Sequence, residues 1–121
     1  HVALVRRLLD QFGSRIVGLK DSSGDMAYAR EAAAISPDFA VFPSTEAVLI
    51  EARGGAFAGC ISATVNLNPD LCQRAWGNGD KAAVRLILRL RAALVILVVI
   101  TVRIWFLTLQ RRNCVSKTVF V

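Results

Sequence analysis

Lys20 is the residue with the most chemistry to offer. It directly follows the apolar run at residues 16–19, where partial desolvation would favour the neutral amine over the ammonium ion. A neutral amine attacks a ketone. The imine that forms, once protonated, draws electrons from the adjacent carbon and lets a C–C bond be made or broken through an enamine. Taken by position alone, a lysine after an apolar run is more commonly a solvated loop cation. What raises Lys20 above that reading is the order of the elements around it.

Residues 2–12 repeat apolar positions at Val5, Leu8, Leu9 and Phe12 and end at Gly13, which predicts a helix with a left-handed cap. Residues 16–19 predict a buried strand, closed by the polar cluster at residues 20–25. The Ala-rich stretch 26–35 predicts a helix with Asp25 at its start and Pro37 beyond its end. Residues 39–42 predict a second strand. Ser44 or Thr45 caps a helix running to Arg53, with Gly54 and Gly55 stopping it, and residues 59–64 predict a third strand. Asn68 and Pro69 fit the cap and first turn of a further helix reaching Trp76, broken at residues 77–80. Alternation of this kind implies an α/β fold with a parallel sheet and crossover helices. In such folds the loops at the C-terminal strand ends converge, which places Lys20, Ser44 and Ser62 near one another.

These residues carry a resemblance. Residues 16–25, IVGLKDSSGD, resemble the Schiff-base lysine segment of the dihydrodipicolinate synthase and N-acetylneuraminate lyase family, and residues 39–66, FAVFPSTEAVLIEARGGAFAGCISATVN, are similar to its next two strand–helix units. Pro69 and the GNGD at residues 77–80 continue in register. The resemblance covers about residues 1–83. It implies the last three βα units of a (β/α)8 TIM barrel, with Lys20 forming the imine and Ser44, Glu46, Ile61 and Ser62 lining the substrate end of the pocket. It implies a lyase or aldolase acting on pyruvate or a related 2-oxo acid, with no metal or organic cofactor, in a family that forms homo-oligomers and works in the cytoplasm.

Each carried-over residue also has a plainer use. Ser44 can be a helix N-cap, and it stands where the family has glycine; Glu46 can complement a helix dipole in the first turn; Ile61 can be a core strand residue. The family's relay tyrosine and its carboxylate-binding hydroxyl pair lie on earlier strands. The one tyrosine here, Tyr28, follows Lys20 in the Ala-rich helix and is expected to pack or face solvent. Three strands leave two open edges, so the isolated chain is expected to lack turnover.

The chain has 121 residues and is 55% hydrophobic, enough for one modest core and too apolar for disorder. Its net charge of +6 is unevenly spread: residues 1–80 hold seven basic and nine acidic residues, whereas residues 81–121 hold eight basic and none acidic. This predicts a boundary, with a lyase part at 1–83 and a divergent, apolar, basic tail at 84–121. Residues 92–109 are apolar apart from Thr101, Arg103 and Thr108, with arginines on both flanks. An inactive remnant anchored in a membrane by 92–109 is the alternative reading, and an out-of-frame tail is the favoured one. Nucleic-acid binding is not expected, because the uncharged run at 92–102 interrupts any basic face. Cys60, Cys72 and Cys114 match no metal or disulfide spacing and are expected to be reduced thiols. No charged and apolar leader opens the sequence, so export is not expected.

Overall fold

The apolar spacing of residues 2–12 is realised as helix α1 (Val2–Phe12), with Val2 and Val5 buried and Gly13 ending it at φ 53°. The computed structural model describes residues 1–116, with side chains through residue 105. After α1 come β1 (Gly18–Asp21), α2 (Met26–Ala33), β2 (Ala40–Pro43), α3 (Leu49–Arg53), α4 (Pro69–Asn78) and α5 (Lys81–Ser116). Short 3-10 turns stand at Gly13–Arg15, Glu46–Val48 and Ala63–Leu67. The class is α/β, mostly helical, with one small sheet.

β1 and β2 pair in parallel, with Gly18 opposite Ala40, Leu19 opposite Val41, Lys20 opposite Phe42 and Asp21 opposite Pro43. Both strands start later than expected, since Ile16, Val17 and Phe39 lie outside them; Val17 is 71% exposed. Pairing, not apolarity, sets a strand's bounds, and the ladder exists only where the two backbones run side by side. Gly18 is required at its place: a Cβ there would sit 2.4 Å from the Ala40 carbonyl oxygen.

The expected third strand at 59–64 is not a strand. The chain is bonded to β2 through the Ala58 N–H to the Val41 oxygen at 3.0 Å and the Ile61 N–H to the Pro43 oxygen at 3.1 Å. Three residue steps on this segment therefore match two on β2, the mismatch of a bulge, and Gly59 takes φ 150° within it. From Ala63 the backbone coils into a 3-10 turn.

Unit one, His1–Leu88, has two apolar clusters. The first joins Val5, Ala29, Ala32, Phe39, Val41 and Phe57, with Leu19 packed against it. The second joins Leu49, Cys72, Ala75, Ala83, Val84 and Ile87. Small alanines on α2 let the helix lie close to the sheet. Cys60 packs against both clusters.

Capping is explicit. The Asp25 carboxylate accepts from the Ala27 and Tyr28 N–H groups at 3.0 Å each and starts α2. Thr45 is the cap before the Glu46 turn, accepting from the Ala47 N–H at 3.3 Å, so this role does not fall to Ser44. Asp80 starts α5 by accepting from Ala82 and Ala83, and Arg74 pairs with it at 2.6 Å. The Ala83 N–H above all, then Arg74 and the Ala82 N–H, hold the Asp80 carboxyl below the usual carboxylate range against a smaller opposing effect of desolvation. Between α2 and α3 an exposed fork joins Arg30 to both oxygens of Glu51, at 2.8 and 3.0 Å.

Unit two begins at Arg89 and lies within the bounds of α5 up to Ser116. From Val95 to Val99, and at Ile104 and Trp105, its apolar side chains are more than half exposed. The Thr101 hydroxyl bonds back to the Leu97 oxygen at 2.8 Å, as a hydroxyl in an apolar helix does. Among the described residues no helix is long and apolar enough to cross a membrane. The stretch 92–109 extends past the described side chains, and so does Cys114.

Two outcomes follow from this packing. Gly18→Ala should cost about 1–3 kcal/mol, because its methyl group meets backbone and not a movable side chain; a urea midpoint equal to wild type would show that the register yields. The depressed Asp80 carboxyl stabilises the fold above its ordinary ionisation range, and that contribution is lost as pH falls through the lower folded value. Asp80→Asn should therefore flatten the acid limb of the stability profile below about pH 4, read by thermal melts across pH. An unchanged acid limb would remove Asp80 from that role.

Candidate functional site

Three extended segments end side by side. Asp21 stands opposite Pro43 in the ladder, and the Pro43 carbonyl accepts from the Ile61 N–H. Lys20, Ser44 and Ser62 therefore lie at one end of neighbouring segments, the arrangement expected from the order of elements. Side chains alternate across the strands: Leu19 and Val41 face the helices, whereas Lys20 lies on the opposite face with Phe42.

Lys20 belongs to β1 itself and not to the loop after it, and its side chain is exposed. The desolvation expected from the apolar run is thus not supplied by this chain. Alternation is the reason, since the residue after core-facing Leu19 must turn to the uncovered face of the two-stranded sheet. The next residue, Asp21, turns inward, is 6% exposed and accepts from the Ser23 N–H at 2.9 Å.

Glu46 is completely buried. Its Oε1 accepts from the Thr64 hydroxyl, and the Thr64 Oγ1 lies 3.0 Å from the Ser62 Oγ. Glu46 and Ser62, carried on different elements, are brought together through a residue that sequence reasoning passed over. Its signal was the i, i+2 spacing of Ser62 and Thr64, two hydroxyls that the 3-10 turn from Ala63 brings within 3.0 Å of one another. Ser44 is half-buried, between β2 and its cap residue Thr45. Ile61 is 47% exposed and so is not the core strand residue its type suggested; its backbone N–H makes the contact that seats the segment.

Asn68 precedes α4 but makes no side-chain cap bond. Its amide instead donates to the Thr64 oxygen at 3.1 Å and accepts from the Cys72 thiol at 3.5 Å. Burial pushes that thiol up, and the Glu46 charge adds to the effect, so Cys72 stays protonated near neutral pH. Cys60 and Cys72 are both reduced thiols. Among the described residues no three His, Cys, Asp or Glu side chains are grouped to hold a metal ion. A cavity of about 490 Å³ lies elsewhere, at the N-terminal side of the strands, lined by Leu9, Ile16, Val17 and Phe39 and none of the residues above. Tyr28 lies in the first turn of α2 and is half-buried.

Comparison with known proteins gives this arrangement a family. The model of the dihydrodipicolinate synthetase family matches residues 1–105, further along the chain than the motifs ending near residue 83. The chain is 42% identical over 73 residues to the 4-hydroxy-tetrahydrodipicolinate synthase of Rhodospirillum centenum, covering 55% of this chain and 24% of that protein. To the protein of the same name from Ruegeria pomeroyi it is 38% identical over 72 residues, covering 56% and 25%. The chain thus spans about a quarter of the length of these curated relatives. With a match over most of its residues and the parallel strand order on the page, the chain belongs to the dihydrodipicolinate synthetase family.

Proposed function

We propose that this chain carries the imine-forming strand and two neighbouring segment ends of a Schiff-base lyase or aldolase acting on pyruvate or a related 2-oxo acid. The observation that carries the reading is the placement of Lys20 on β1, paired with β2, which is bonded in turn to the segment leading to Ser62, in a chain of this family. On this reading the chain is the last three βα units of a (β/α)8 barrel, about a quarter of the length of its relatives. The remaining strands would cover the open face of the sheet, where Lys20 now meets solvent, and supply the missing desolvation.

The chemistry is written on Lys20. Its neutral Nζ attacks the C2 carbonyl of the 2-oxo acid, and loss of water gives a protonated imine. Loss of a proton from C3 then gives an enamine, whose C3 attacks an aldehyde; hydrolysis of the product imine returns the free amine. Ser44, Glu46, the Ile61 backbone and Ser62 stand at the substrate end. No metal enters these steps. The relay and carboxylate-binding groups implied by the family belong to strands outside this chain, so imine formation, and not turnover, is the step this chain can display.

Borohydride trapping with pyruvate, followed by intact mass and peptide mapping, tests the reading. The expected result is a single reduced pyruvyl adduct on Lys20, absent in Lys20→Ala. No adduct, or equal labelling of Lys20, Lys81 and Lys117, would overturn imine formation by this chain while its family membership stands.

A further inference from the structure

From Arg89 onward, helix α5 carries a surface pattern of its own. Arg89 and Arg103 are separated by about four whole turns, so they fall on one side of the helix. Leu90, Leu97, Val98 and Trp105, at i, i+7, i+8 and i+15, fall on the opposite side, and Leu97 and Trp105 are 60% and 63% exposed. Thr101 stands in the middle of that apolar stripe. Its hydroxyl donates to the Leu97 oxygen at 2.8 Å, so it can leave water without an unpaired proton. Arg91 borders the stripe, where a long side chain lays its stem on apolar surroundings and keeps its guanidinium in water.

We propose that residues 89–105 of α5 are a docking surface for an anionic membrane: the stripe of Leu90, Leu97, Val98 and Trp105 sinks into the boundary between headgroups and acyl chains, and Arg89 and Arg103 meet the lipid phosphates. Charge selects this occupant. Residues 81–121 hold eight basic residues and no acidic one, so a second copy of the helix would bring arginine to arginine, whereas an anionic lipid surface is its complement. Shape agrees with charge. Exposed apolar residues follow one another without a break over 95–100, so the apolar area runs on around the flanks of the helix. A fluid acyl boundary conforms to such a surface, and a protein groove covers one face of it. Among the described residues no helix is long and apolar enough to cross a membrane, so the helix lies along the surface and not through it.

Flotation of the full chain with extruded vesicles tests this. The chain should float with vesicles of phosphatidylcholine mixed with phosphatidylglycerol and partition at least about tenfold less onto phosphatidylcholine alone, and raised salt should narrow that gap. Arg89→Gln combined with Arg103→Gln should weaken partitioning onto the mixed vesicles by about thirtyfold and leave the neutral-vesicle value in place. Leu97→Gln should weaken both. In a Trp76→Phe chain, Trp105 fluorescence should be quenched more by bromine placed near the headgroup end of the acyl chain than by bromine near its far end. The comparison of the two vesicle types uses the unsubstituted chain, so it holds whether or not a variant folds. Equal partitioning onto both vesicle types overturns the proposal, as does a sedimenting self-associated species that does not float. Stronger quenching by the far bromine, the mark of a helix that crosses, overturns it as well.

Discussion

The parallel register of β1 and β2 is the constraint on which the rest depends. Four residue pairs, from Gly18 and Ala40 to Asp21 and Pro43, decide which side chains meet the helices and which meet the uncovered face. A slip of one residue would send Leu19 outward and Lys20 into the apolar cluster of Val41, Ala29 and Phe39. The register is held partly by shape. At Gly18 the two backbones approach so closely that only a glycine fits against the Ala40 carbonyl. Apolar packing on one face of the sheet and backbone contact within it therefore enforce the same alignment.

That alignment also leaves surfaces of the sheet open among the described residues. The helices cover one face, while the face bearing Lys20 and the outer edge of β1 lack a strand neighbour among the described residues. The segment at 58–61 approaches β2 without a continuous ladder, so the second edge is only partly closed. A barrel solves both problems at once by giving each strand two neighbours and filling the inner face with side chains. The family match and the share of its relatives' length that the chain spans are consistent with a piece of such an architecture.

Polar groups near the strand ends are organised around burial. Glu46 would be costly where it stands without a donor, and Thr64 supplies one. Thr64 in turn ties Ser62 through its hydroxyl and Asn68 through its carbonyl, so the same short turn connects the candidate site to the Cys72 side of the second apolar cluster. A helix-cap position at Asn68 is diverted to this connection: its amide serves the turn before α4, and the cap is left to backbone geometry and Pro69.

The sequence by itself determined the local elements with strong chemical signatures. Helix α1 has its apolar spacing and glycine stop, α2 its Asp25 cap, and α4 its Asn68–Pro69 start, because each signal acts within a few residues. The Lys20 segment and the family were legible for the same reason, since the motif is contiguous. Tertiary structure decided what depends on partners distant in sequence. β1 and β2 begin where they face one another rather than where apolarity begins, and residues 59–64 form no strand because a bulge puts them out of step with β2. Exposure of Lys20 and Ile61, and the joining of Glu46 to Ser62 through Thr64, follow from which face each backbone turns toward its neighbour. Residue type states what a side chain can do; only the packed backbone sets whether it does so in water or against another group.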